Sequence, residues 1–111
     1  MAHHVERTSK IIEREISTIL LMEAKNHLLK YVSITKVTLT NDMSLATIWF
    51  SVIGQNDEIE APKKALLDSK GFLRSELSKR LDIRKTPDLK FKYDESLEYG
   101  KRIEELLNNS K

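Results

Sequence analysis

Ten lysine and arginine side chains fall between Lys63 and Lys92, against four acidic ones. The flanking stretches are mildly acidic, so a net charge of only +2 hides a local +6. Basic groups at this density suit the neutralisation of phosphates along a nucleic-acid backbone. A lysine-rich solvated helix face has the same composition, and charge alone does not choose between the two. The candidate phosphate contacts are Lys63, Lys64, Lys70, Arg74, Lys79, Arg80, Arg84 and Lys85. Gly71 stands among them in "SKGFLRSELSKR", inside what otherwise reads as helix. Glycine in a helix interior costs about 1 kcal/mol relative to alanine, so its presence needs a reason. One reason is close approach of a phosphate backbone beside Lys70 and Arg74, at the positive end of a helix dipole. The other is close packing of the helix on a sheet.

Catalytic chemistry is poorly served. The chain has no cysteine, which excludes a thiolate nucleophile, a disulfide framework and a thiolate zinc site. His27, in "AKNHLLKY", is the one histidine away from the N-terminus. It is expected at the end of the first helix, where a cation suits the dipole. His3 and His4 are adjacent near a terminus and make a weak metal signal. Glu104 and Glu105 read as solvation of a charged helix, and neither glycine-rich phosphate-cradling motif is present. The expectation is a binding protein, not an enzyme, with no metal or other cofactor.

Elements must position these groups. Ile12, Ile16, Ile19 and Leu20 form the stripe of an amphipathic helix, with Arg7, Lys10 and Arg14 turned to solvent. "YVSITKVTLT" is β-branched, but its alternation slips by one between Ile34 and Val37, which predicts a bulge near Thr35–Lys36. "NDMS" supplies turn chemistry. "LATIWFSVI" then alternates Ala46, Ile48, Phe50 and Val52 against Thr47, Trp49 and Ser51, completing an antiparallel hairpin. A helix with Pro62 in its first turn follows through Leu66, Leu67, Leu73, Leu77 and Leu81. A bend at Gly71 would bring Phe72 and Leu73 onto the core together. "RKTPD" is expected to end this helix, because the residue before Pro87 disfavours helical geometry. Leu89, Phe91 and Tyr93 alternate with Lys90 and Lys92 in a third strand, and residues 97–109 read as a last short helix.

The order is α-β-β-α-bend-α-β-α, an α+β domain with helices on one face of a three-stranded sheet. With 111 residues, one domain over 1–111 is expected, ordered from about residue 5 to 107. At 40% hydrophobic residues, the chain is too apolar for disorder. No apolar run approaches the roughly 20 residues of a membrane span. The first ten residues lack the apolar core of a secretory signal. A cytoplasmic location, no membrane partner and a monomeric state are expected.

"SKGFLRSELSKRL" followed by "RKTPDLKFKYDESLEYGKRIEELL" resembles the bacterial ribosome-binding factor A family. The family pattern P-x-L-x-F-x-x-D-x-S is matched by Pro87, Leu89, Phe91, Asp94 and Ser96, and the hairpin by Asp42, Leu45 and Ala46. The likeness spans about residues 5–107. It implies a type II KH-like fold, in which an Ala-x-Gly kink replaces the G-x-x-G loop of ordinary KH domains. Here the kink motif is Ser69, Lys70 and Gly71, with serine in the place of alanine and its hydroxyl able to close on a nearby carbonyl. The resemblance further implies a late maturation factor of the small ribosomal subunit. Such a factor binds free 30S particles and immature 16S rRNA and its precursor, supports 5′-end processing, matters most in the cold, and has no catalytic activity. Asn26, His27 and Leu28 stand where the family usually has Asp-Pro-Arg, so an RNA contact by that arginine is missing. Asp82 weakens the basic patch locally. The alternative is a protein-interaction module that docks a ribosomal protein or an assembly GTPase through the acidic C-terminal helix or Trp49.

Overall fold

The computed structural model describes residues 2–22, 26–52 and 59–95. Helix α1 (Ala2–Met22) leads to a 3-10 turn (His27–Tyr31), the hairpin β1 (Val32–Leu39) and β2 (Leu45–Val52), helices α2 (Glu60–Asp68) and α3 (Lys70–Arg80), and strand β3 (Asp88–Tyr93). The sheet order is β1-β2-β3, with β1 antiparallel and β3 parallel to β2. This is the expected α+β architecture with its helix break. Ser96 and the expected last helix, residues 97–109, lie outside the described residues.

The apolar stripe of α1 does what its spacing predicts. Ile12, Ile16 and Ile19 are fully buried and Leu20 nearly so. They meet Ala46, Ile48 and Phe50 of β2, Leu66 of α2, Leu73 and Leu77 of α3, and Leu89 of β3 in one core. Phe50 and Tyr93 add an edge-on ring contact at 5.6 Å.

The bulge also forms where the alternation slips. Ile34 pairs with Phe50 and Lys36 with Trp49, leaving Thr35 unpaired. The extra residue turns Val37 and Leu39 inward and sends Lys36 to the other face of the sheet. Thr35 Oγ1 donates to Asp94 Oδ2 at 2.7 Å, while the Asp94 N–H donates to the Phe50 carbonyl at 2.6 Å. The family-pattern aspartate therefore ties the end of β3 across β2 to the bulge of β1.

Four expectations need correction. The helix breaks at Ser69, not at Gly71: Ser69 takes φ −91° and ψ 4°. The backbone makes the break, and the Ser69 side chain forms no capping hydrogen bond. The Ser69 N–H reaches the Ala65 and Leu66 carbonyls, closing α2, and the Leu73 N–H reaches the Ser69 carbonyl, opening α3. Leu66 and Leu73 are both buried, and Phe72 stays exposed instead of joining the core. Helix α3 stops at Arg80, well before Pro87, because Leu81 turns extended at φ −92° and ψ 135° and packs against the core. His27 does not end α1. It opens the 3-10 turn, whose start is capped by Asn26 Oδ1 accepting from the Leu28 N–H at 3.0 Å.

The connection from α3 to β3 is held by Arg74. Its Nε donates to the Pro87 carbonyl at 3.1 Å and its Nη2 to the Thr86 carbonyl at 2.9 Å, and Asp88 Oδ1 lies 3.4 Å from Nε. Replacing Arg74 by alanine is expected to lower stability by about 1–3 kcal/mol, the usual loss for hydrogen bonds from a charged donor. Arg74→Lys should restore little of it, because an ammonium cannot span two carbonyls as the planar fork does; urea unfolding compares the three proteins.

The hairpin turn yields a pH prediction. Asp42 Oδ1 accepts from the Ser44 hydroxyl at 2.8 Å, the Thr40 hydroxyl at 2.8 Å and the Ser44 N–H at 3.1 Å. These bonds, the Ser44 hydroxyl first, hold its carboxyl at about 2 instead of 3.8. A depressed carboxylate stabilises the fold above its unfolded value, and that contribution disappears as pH falls through the folded value. Urea midpoints of the wild type and Asp42→Ala should differ above pH ~4 and converge as pH approaches ~2.

Candidate nucleic-acid interface

An open groove of about 410 Å³ runs between α3 and the connection to β3. Gly71, Ser75 and Ser78 line it from α3, and Arg84, Lys85 and Thr86 from the connection, with Arg74 between them. Residues 71, 75 and 78 lie on one helix face by their i, i+4, i+7 spacing. The connection reaches that face because Arg74 holds the Thr86 and Pro87 carbonyls. Arg84 and Lys85 are exposed there and form no ion pair among the described residues. Their cationic heads are available to an anion.

Gly71 occupies the second position of α3, in the first turn, where a helix start leaves its N–H groups without intrahelical acceptors. A Cβ added there would meet nothing within 4 Å. Its φ lies outside the left-handed region. Close helix–sheet packing therefore does not explain the glycine, and neither does backbone conformation. What remains is the open space in front of it, inside the basic groove.

The other candidates divide. Lys70 is exposed at the first position of α3, beside Gly71. Lys64 is exposed and Lys63 half-buried on α2, and neither lines the groove. Lys79 pairs with Glu76 at 3.3 Å. Arg80 Nη1 lies 3.4 Å from Glu15 Oε2 with only 27% of its side chain exposed, joining α3 to α1. Arg74 and Arg80 thus serve the fold, and Arg84, Lys85 and Lys70 are the more available cations. Reversing the charge of Arg80 would set it against Glu15, so that substitution does not leave the fold untouched.

Ser75, Ser78 and Thr86 were not legible as groove residues. The Ser78 hydroxyl donates to the Ser75 carbonyl at 2.6 Å, and only the i, i+4, i+7 relation to Gly71 signals their shared face. On α1, Arg7, Lys10 and Arg14 are exposed as expected. Lys10 lies 3.6 Å from Glu13 and Arg14 lies 3.9 Å from Glu15. Among the described residues no group of three or more histidine, aspartate or glutamate side chains is placed to hold a metal ion.

Comparison with known proteins adds the family. The model of the ribosome-binding factor A family matches residues 4–107. A ribosome-binding factor A of Macrococcus caseolyticus is 41% identical over 107 residues, covering 96% of this chain and 94% of that protein. The crystal structure of ribosome-binding factor A from Thermus thermophilus superposes with a TM-score of 0.69 at 19% identity, over 80% of this chain and 93% of that one. A homology model of the Thermus thermophilus factor, fitted into a cryo-electron-microscopy map of a 30S complex, superposes at 0.65 and 17% identity over 79% and 92% of the two chains. With its kink motif, its P-x-L-x-F-x-x-D pattern and its fold accounted for together, the chain belongs to the ribosome-binding factor A family.

Proposed function

We propose that this protein is an assembly factor of the small ribosomal subunit. It binds free 30S particles through immature 16S rRNA and its precursor, supports 5′-end processing, and is needed most in the cold. It acts by binding and not by catalysis, as a monomer in the cytoplasm. The observation that carries this reading is the groove in which Gly71, with no internal reason to be glycine, faces the unpaired cations Arg84 and Lys85. That arrangement admits an RNA backbone close to the start of α3 and neutralises its phosphates from the opposite wall. Ser75 and Ser78 add neutral hydroxyls between the two. RNA shape, not base identity, would supply the selectivity. The relative fitted into a 30S complex map supports the same target.

Co-sedimentation with purified 30S subunits, 70S ribosomes and naked 16S rRNA, across a salt series, tests the reading. Binding to 30S and not to 70S, falling steeply with salt, is expected. Arg84→Glu with Lys85→Glu should lower the slope of log affinity against log salt by about two, since each lost phosphate contact removes roughly one unit. Unchanged 30S binding by this pair would remove the groove from the interface.

Gly71 separates fold from function. Gly71→Ala should keep or raise stability, by at most about 1 kcal/mol, because alanine lowers unfolded-state entropy and meets no neighbour. Gly71→Val should also fold but fill the approach path, so 30S affinity should fall while the urea midpoint changes little. Equal 30S affinity of all three proteins would show that no backbone comes close at this position.

A further inference from the structure

The helices cover one face of the sheet. On the opposite face, Lys36 of β1, Trp49 of β2 and Lys92 of β3 lie side by side in register. The Lys36 ammonium sits 4.7 Å from the centroid of the indole ring and the Lys92 ammonium 5.1 Å from it. One aromatic ring thus holds two cations within about 10 Å of each other. Lys90, two residues before Lys92 and opposite Thr47, faces the same way. All three lysines are exposed.

Among the described residues no carboxylate is paired with Lys36, Lys90 or Lys92. Asp88, at the edge of the same face, is engaged by Arg74, and Asp94 accepts from Thr35. Trp49 Nε1 is buried and has no hydrogen-bond partner among the described residues, so the ring offers the lysines its π face and not its N–H. The placement of Lys36 is not incidental, because without the bulge at Thr35 the alternation of β1 would turn it toward the core. The register of the whole sheet delivers both lysines to the one tryptophan of the chain.

We infer that this sheet face is a second RNA-backbone contact, in which Trp49 positions Lys36 and Lys92 for phosphate and Lys90 extends the track. The inference rests on the assembly-factor reading for its target, and it adds a surface distinct from the groove. The groove lies on the helix side of the molecule, at α3 and its connection to β3. Two separated cationic surfaces on one small domain let it hold two RNA segments at once. The second contact then forms at the high effective concentration set by the first. Lysines held on a ring also lose less freedom on binding than free ones, which strengthens each phosphate contact.

The test compares wild type, Lys36→Gln with Lys92→Gln, and Arg84→Glu with Lys85→Glu for 30S co-sedimentation across a salt series. Emission of Trp49 is followed in parallel as naked 16S rRNA is added. The sheet-face pair is exposed, so it should fold normally and lower the salt slope by about two. Wild-type Trp49 emission should change with RNA, because phosphate would arrive at the two ammonium groups held against the ring. Loss in the groove pair alone, with the sheet-face pair binding like wild type, would overturn the inference and leave the groove standing. Loss in the sheet-face pair alone would uphold the inference and overturn the groove. Weaker binding by the sheet-face pair with an unchanged salt slope would mean that a protein surface, not phosphate, docks there, and would overturn it. Unresponsive Trp49 emission would overturn it too.

Discussion

Because β3 runs parallel to β2, the chain cannot return between them through a tight turn and must cross from one end of the sheet to the other. Helices α2 and α3 make that crossing. They must also cover the core face, which they do with Leu66, Leu73 and Leu77. All three reach the core although the helix breaks between Leu66 and Leu73, at Ser69. The crossing ends on a connection of its own, and Arg74 fixes that connection against α3. The groove is the space this closure leaves. A basic wall and a glycine-bearing helix start come to face one another because the sheet is mixed.

Much of this was legible in the sequence, and the legible parts share a cause. The α1 stripe, the hairpin, the bulge and β3 are all set by apolar periodicity, which reports directly on burial. The bulge could be located because a single slip in alternation has one cheap structural answer. The failures share a cause as well. Phe72 and the end of α3 depend on the backbone dihedrals of single residues, Ser69 and Leu81, which no periodicity encodes. Arg74 and Arg80 read as free cations, since composition does not reveal that Thr86, Pro87 and Glu15 wait within reach. Charge count located the basic region, and only packing could sort its members into those that hold the fold and those left open.

Gly71 shows how an absence can carry information. A glycine is ordinarily explained by a left-handed φ or by a neighbour too close for a Cβ. Neither holds here, so the residue weakens its helix without any return inside the molecule. On the proposed reading the return is external, an RNA backbone that enters the groove beside Gly71. Ser75 and Ser78 continue the same low-profile face, with a hydroxyl at each place where a longer side chain would narrow the groove.

The modest overall charge belongs to the same logic. A uniformly basic protein of this size would bind any RNA through counterion release, with an affinity indifferent to the shape it met. Here the flanking stretches are acidic and the cations are concentrated in residues 63–92. Of those cations, Arg74, Lys79 and Arg80 are drawn partly into internal pairs. Among the rest, Arg84 and Lys85 sit on a connection tied down by Arg74, and Lys92 shares one indole with Lys36 of β1. Few, well-held charges bind weakly to a random strand and strongly to one whose phosphates match their spacing. On the proposed reading, selectivity for a folded RNA follows from how rigidly the cations are held, more than from how many there are.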